Sequence, residues 1–283
     1  MDARLHALLT FDVDTMSLWR RSRDATTRSR GELGAVAVPR ILDLLGSRGL
    51  RATFFVPGFT ALTYPDLVRR IRDEGHELGH HGWLHDSLVD ADEAAERHDL
   101  DRGLEALDEV AGVRPAGYRS PAWATTDRTM ALLVEHGFAW DSSLMGDDHS
   151  TYRVRIGDRP GDGEAEPPWT FGEETDLVEV PVAWSADDFP HFEYVPGRLD
   201  AMKPPSAVRE IWQGDFEWAR RHVPGGFWML TMHPQVIGRG HRLLMLEDLI
   251  DHVRSHADVA FATVSEHVDR WRSQAEGDAP ATG

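Results

Sequence analysis

The chain of 283 residues has no cysteine, which excludes disulfides, thiolate metal sites and cysteine nucleophiles. That absence leaves the compartment open. No apolar run approaches the roughly 18 residues that a membrane-spanning helix needs. The opening Met1-Asp-Ala-Arg-Leu-His6 lacks the basic and apolar regions of an export signal, so a soluble, cytoplasmic protein is the expectation. Positive charge is in deficit: 30 Lys and Arg face 48 Asp and Glu, for a net charge of -18. Nucleic acid and anionic membrane surfaces would be repelled, and neither is expected as a partner. Repeats, a linker and a shift of composition are also missing. Residues 1–283 are therefore read as one domain, ordered over about 5–272, with a small polar tail at 274–283.

What is present suits a packed globule: 41% apolar residues, ten tryptophans and a mean hydropathy of -0.41. Histidine is concentrated, with four of the 15 lying in His76-Glu-Leu-Gly-His80-His81-Gly-Trp-Leu-His85. Histidines four apart share one face of a helical turn, so His76/His80 and His81/His85 are each spaced to meet one metal ion. Spacing alone fits ordinary structural histidines as well. Upstream, a strand end carries two carboxylates in Thr10-Phe-Asp12-Val-Asp14. Two imidazoles and a carboxylate leave coordination positions open, as a hydrolytic metal requires.

In chain order, strands are expected at Leu5–Phe11, Ala52–Val56, Glu77–His80, Gly117–Ser120, Phe138–Asp141, Leu177–Val182, Gly226–Met232 and Val259–Thr263. Helices are expected at Ala35–Arg48, Tyr64–Asp73, Ala91–Val110, Asp127–His136, Val208–His222, Leu243–His256 and Val264–Arg272. Residues 15–34, 145–175 and 183–205 read as long loops, the first two able to roof a pocket. Alternation of this kind means parallel strands with right-handed crossovers. Asp12, Asp14, His81, Arg119, Asp141 and His233 all fall just past strand ends. In a barrel that face holds the active site.

Six segments then become recognisable in order: Thr10-Phe-Asp-Val-Asp14, Gly79-His-His-Gly-Trp-Leu-His85, Tyr118-Arg-Ser-Pro-Ala-Trp123, Asp141-Ser-Ser-Leu144, Val178-Glu-Val-Pro-Val182 and Thr231-Met-His-Pro-Gln235. Together they resemble the motifs of the polysaccharide deacetylase superfamily, also called NodB-homology or carbohydrate esterase family four. The similarity spans about residues 5–270. It is closest to the branch of Helicobacter-type peptidoglycan deacetylases, cyclic imide hydrolases and metal-free allantoinases, through Thr231–Arg239 and the Asp187-Asp188 pair followed by Pro190.

The resemblance implies an α/β fold, a distorted (β/α) barrel of about seven parallel strands, and one Zn²⁺ or another divalent transition metal. It assigns Asp14, His81 and His85 as ligands, and so favours the second histidine pair. Asp12 matches the general base, Arg119 the residue that orients it, and His233 the general acid. Typical members carry adjacent aspartates; here Val13 stands between them, as in this branch. Allantoinases of the branch lack the ligand set, which this chain keeps. Substrate contacts are expected from Trp123, Asp188, Pro121 and Trp19. Asp187 and Asp188 would face opposite ways in extended chain, so one of them is expected to reach the site. Trp83 and Trp184 read as core. Homotetramers are the assembly that the resemblance implies.

Metal-activated water, an Asp base and a His acid point to hydrolysis of an amide-type C–N bond. Strong acidity and the lack of an export signal favour a small cyclic imide or related amide. N-deacetylation of peptidoglycan or another N-acetylated sugar uses the same residues. An inactive barrel serving as a binding module is the reading from another class, and the intact residue set speaks against it.

Overall fold

The computed structural model describes residues 4–195, 197 and 199–277. Only residues 274–277 of the expected tail lie within them, as part of a helix. The chain starts with β1 (Leu5–Asp12), whose eight residues are all buried. A short helix α1 (Met16–Trp19) follows, then the long α2 (Ala25–Gly46), β2 (Thr53–Val56), α3 (Gly58–Thr63), α4 (Pro65–Asp73) and β3 (Glu77–His80). Next come α5 (Glu93–Ala111), β4 (Gly117–Tyr118), α6 (Thr129–Glu135) and β5 (Trp140–Asp141). The middle of the chain forms β6 (Tyr152–Ile156), β7 (Arg159–Pro160), β8 (Trp169–Thr170) and β9 (Glu173–Glu179). A short α7 (Phe189–Phe192) and the pair β10 (Tyr194–Val195) and β11 (Leu199–Asp200) lead to α8 (Pro205–His222). Last are β12 (Phe227–Met232), α9 (Pro234–Ile237), α10 (Gly240–Arg254), β13 (Val259–Ala262) and α11 (Val264–Gly277).

The main sheet runs β12-β1-β2-β3-β4-β5-β9-β6, with β13 also on β1. All pairings are parallel except β6 on β9. The sheet curls into a partial barrel, and the segment after β9 reaches the far edge strand through an Asp187–Thr231 bridge. Parallel strands covered on both faces read as continuous apolar runs, as Leu5-His-Ala-Leu-Leu-Thr-Phe11 does. Phe11 and Phe54 stack in the layer between β1, β2 and the helices, with ring centroids 4.9 Å apart. No helix among the described residues is long and apolar enough to cross a membrane.

All three expected loops hold regular structure, residues 183–205 through α7 and the β10–β11 pair. Residues 25–34 are the first turns of α2, capped by Asp24, which accepts from the amides of Thr26 and Thr27. They show no apolar stripe because the buried positions there are Gly31 and Gly34. A Cβ on Gly31 would lie 2.6 Å from the carbonyl oxygen of Thr15, so contact here is backbone against backbone. Residues 145–175 hold an antiparallel extension in which β6 pairs with β9. Only Val154 of β6 is buried, so the segment carries no apolar alternation in its sequence.

Candidate active site

The carboxyl ends of the parallel strands surround a cavity of about 210 Å³ lined by Asp12, Asp14, Leu18, His81, His85, Ala122, Trp123, Trp184, Asp187, Phe189 and His233. Strand β1 supplies Asp12 at its last residue and Asp14 just beyond. The Asp14 carbonyl accepts from Ser17 Oγ at 2.6 Å and from Thr60 Oγ1 at 2.8 Å, which pins the turn. His81 follows β3 directly, and its Nδ1 lies 2.7 Å from the Arg119 carbonyl. A proton donated there leaves Nε2 with a free lone pair aimed at the cavity.

His81 and His85 do not share a helical turn. They sit on the irregular segment after β3, and His85 adopts a φ of 58°. That backbone brings their rings to 5.1 Å between centroids. Asp14 Oδ1 lies 3.5 Å from His81 Nε2 and 3.3 Å from His85 Nε2. The oxygen is buried and has no hydrogen-bond partner. An unpartnered carboxylate oxygen facing two imidazole lone pairs is the donor set that a divalent transition ion takes; the three residues fit one. Burial opposes ionisation of Asp14, but His85, His81 and His233 hold its carboxyl well below the usual range. Burial also pushes His85 down, while His81 is raised against its own desolvation by Asp12 and Asp14. The other pair, His76 and His80, lies outside: His76 Nδ1 accepts from the Ala52 amide, and His80 Nε2 meets the Leu100 carbonyl.

Arg119 is fully buried beneath Asp12. Its guanidinium donates to Asp12 Oδ1 and Thr10 Oγ1, each at 2.9 Å, and to the Ser142 carbonyl and hydroxyl. It also lies 4.0 Å over the Phe55 ring. Held on both edges, it anchors Asp12 Oδ1, while Oδ2 lies 3.8 Å from His81 Nε2.

Across the cavity, His233 follows β12. Its Nδ1 lies 2.7 Å from Asp188 Oδ1, and its amide donates to Asp188 Oδ2 at 3.0 Å. Asp187 Oδ1 stands 3.7 Å from the same nitrogen. The two aspartates do not face opposite ways, because the chain turns into α7 at this point and both converge on His233. Burial pushes Asp187 up to about 7 and raises Asp188, while these two carboxylates and Asp14 hold the imidazole protonated well above its ordinary range despite desolvation. Nε2 of His233 is left facing the Asp14 side, 3.8 Å from Oδ2.

Of the expected substrate contacts, Trp123 lines the cavity, whereas Asp188, Pro121 and Trp19 do not. Leu18, not Trp19, faces inward; Trp19 instead lies under the Arg30 guanidinium. None of residues 145–175 contributes to the lining, so they do not roof the mouth. Trp184 is not core: it is 48% exposed and tilts over Trp123 with centroids 4.1 Å apart. Ala122 and Trp123 carry φ values of 52° and 53°, so the aromatic wall rests on strained backbone of the kind that gathers at working sites. Gln235, whose Nε2 donates to Asp14 Oδ2 at 3.3 Å, escaped sequence reasoning although it closes the His-Pro-Gln segment. Glu179, left open between barrel mouth and helix cover, is buried beside Asp141 and accepts from the amides of Ser143 and Leu144.

Comparison with known proteins bears on the fold and the family. A family model described as polysaccharide deacetylase matches residues 6–140. A protein of Mycobacterium smegmatis, described as a polysaccharide deacetylase, has a crystal structure that superposes with a TM-score of 0.85 at 38% identity, covering 97% of this chain and 92% of that one. The Puue allantoinase shares the fold at a TM-score of 0.78 and 22% identity, over 96% and 91% of the two chains. The peptidoglycan deacetylase of Helicobacter pylori is 33% identical over 273 residues, 91% of this chain and 93% of its own length. Matched to that relative along nearly its whole length, the chain belongs to the polysaccharide deacetylase (NodB-homology) family, hydrolases that act on C–N amide bonds.

Proposed function

We propose that the protein is a metal-dependent amidohydrolase that opens a small cyclic imide or related amide. The observation that carries this reading is the shape of the site: about 210 Å³, walled by Leu18, Trp123, Trp184 and Phe189 above the Asp–His–His cluster. Such a volume suits one small ring. A divalent ion such as Zn²⁺, held by Asp14, His81 and His85, would polarise the scissile carbonyl and lower the pKa of water from 15.7 to roughly 7.

Around it, each residue of the chain has a defined task. Asp12, fixed by Arg119, accepts a proton as water adds to the carbonyl. His233 enters protonated, with Nδ1–H on Asp188, and gives its Nε2 proton to the nitrogen as the C–N bond breaks. Without that proton the nitrogen would leave as an anion, which is slow. The products are a carboxylic acid and an amine or, for an imide, a ring-opened half-amide. Trp123 and Trp184 flank the ring and exclude water. The catalytic unit spans residues 1–283 as a single domain, and the assembly is a homotetramer; sedimentation that gives a monomer at micromolar concentration rejects the latter.

The second reading, removal of acetyl groups from peptidoglycan-type sugars, is favoured by one observation: the Helicobacter pylori relative bears that activity in its name. Metal-loaded protein should be assayed with succinimide and hydantoin rings beside N-acetylglucosamine oligomers. Ring opening without acetate release is the expected outcome. Acetate release from the oligomers with intact rings overturns the imide reading and establishes the sugar one.

A further inference from the structure

A second cluster of metal-ligating side chains lies outside the catalytic cavity, where α8 packs against the end of α10. Glu217 stands on α8, His252 in the last turn of α10, and His256 one turn further on. Glu217 Oε1 is 3.4 Å from His252 Nε2 and 3.7 Å from His256 Nε2. The three donor atoms lie within 4.8 Å of one another. Ligands on a tetrahedral ion with bonds of about 2.0–2.1 Å stand roughly 3.3 Å apart, so small rotations of the two rings complete the set.

Three details separate this cluster from an accidental ion pair. First, His256 Nδ1 lies 3.1 Å from the His252 carbonyl; a proton donated there leaves Nε2 with its lone pair toward Glu217, the orientation that ligating histidines receive from backbone carbonyls. Second, His252 Nε2 is buried and makes no hydrogen bond of good geometry, so no protein partner competes with an ion for this nitrogen. Third, the carboxylate is held in place: Arg221 donates to Glu217 Oε2 at 3.0 Å and leaves Oε1 to the histidines. Burial works against ionisation of Glu217, but Arg221, His256 and His252 bring its carboxyl below the ordinary value.

The rings stand on an apolar floor. Phe216, fully buried, meets His252 and His256 edge-on at 5.9 Å and 5.3 Å between centroids. The outer side is open, with side-chain exposures of 26% for His252, 21% for Glu217 and 17% for His256, so water can complete the coordination. The α10 carbonyl end favours a cation here. Arg220 and Arg221 oppose one, but Arg220 is paired with Asp258 at 3.0 Å.

We propose that Glu217, His252 and His256 form a second divalent-metal site, of the zinc, cobalt or nickel class, that clamps α8 to the end of α10. Two neutral imidazoles and one carboxylate suit borderline ions better than magnesium or calcium. The site is independent of the hydrolytic reading, since it shares no residue with the catalytic cavity.

The test is a count of bound Zn²⁺ by equilibrium dialysis and mass spectrometry on the full chain, parallel with His252→Gln and Glu217→Gln. Each variant should hold one equivalent fewer than the unsubstituted protein, whatever the catalytic cavity holds. An equal count in all three overturns the proposal. Where a variant fails to fold, the unsubstituted chain decides: imidazole nitrogen resonances of His252 and His256 should shift at Nε2 on Zn²⁺ addition. Resonances that stay in place leave the triad a plain ion-pair cluster and overturn the site.

Discussion

Replacing Asp188 by Asn tests the acid half of the site with little change of volume. In the native arrangement, two donors of His233 use two carboxylate oxygens, Nδ1–H on Oδ1 at 2.7 Å and the amide on Oδ2 at 3.0 Å. Asparagine has one acceptor oxygen and an NH₂ group, so one donor loses its acceptor and faces another donor. The charged form of the imidazole suffers most. A hydrogen bond to a charged group contributes about 1.5–3 kcal/mol, and at 1.36 kcal/mol per decade this is about a 10- to 150-fold loss of turnover. Asp187, at 3.7 Å from the same nitrogen, keeps the loss from growing larger. The assay is kcat and KM on the substrate that the parent turns over, with metal content measured on the same samples. We expect kcat to fall by one to two decades, KM to move by less than about threefold, and the metal to stay. Full turnover, or loss of the metal with the activity, refutes the assignment of Asp188 as the group that holds a protonated His233.

The remaining predictions bear on the other parts. His85→Ala and Asp14→Ala should lose bound metal by mass spectrometry, whereas His233→Ala keeps it and loses turnover; a His233 variant at full rate removes that residue from the reaction. Arg119→Met leaves the Asp12 carboxylate buried without its partner and should cost about 3–5 kcal/mol in urea unfolding; a change below about 1 kcal/mol contradicts the buried-pair account. Asp99 is buried, and desolvation pushes its carboxyl from 3.8 to about 6 against the opposing backbone amides of Trp83 and Leu84. A raised carboxyl is protonated longer in the native state than in the unfolded chain, so its effect is to lower stability as pH rises from 3.8 to about 6. Asp99→Asn should remove that slope and gain on the parent by up to about 3 kcal/mol between pH 4 and 7; a difference that does not vary with pH rejects the assignment.

The constellation was legible in part because its residues are anchored to the ends of buried strands, the longer of which announce themselves as apolar runs. Asp12 closes and His233 follows such a run, while His81 and Arg119 follow the short strands β3 and β4, which carry no apolar run and were legible through their motifs. The cavity gathers Asp12, His81 and His233, with Arg119 directly beneath. What was lost depended on contacts without an apolar signature. The start of α2 hid because glycines do the packing there. Trp184 reads as core in the sequence because an indole in an irregular segment gives no periodicity; its place at the mouth follows from the turn between β9 and α7. Asp187 and Asp188 were expected to diverge, and only the tight turn at Phe189 brings both to one imidazole. The helical reading of His81 and His85 failed for a related reason. Their approach depends on a left-handed residue, not on regular spacing.

Helix engineering commonly exchanges an interior glycine for alanine, since this favours the folded state by roughly 1 kcal/mol. At position 31 the same exchange would drive a methyl group against Thr15 and Met16 at 2.6–2.8 Å. Thr15 adjoins Asp14, so the wedge would shift the carboxylate that faces the two imidazoles. A hydrogen atom 17 residues downstream of Asp14 is therefore a spacer for the reactive centre, and a more stable helix would come with a misaligned catalyst.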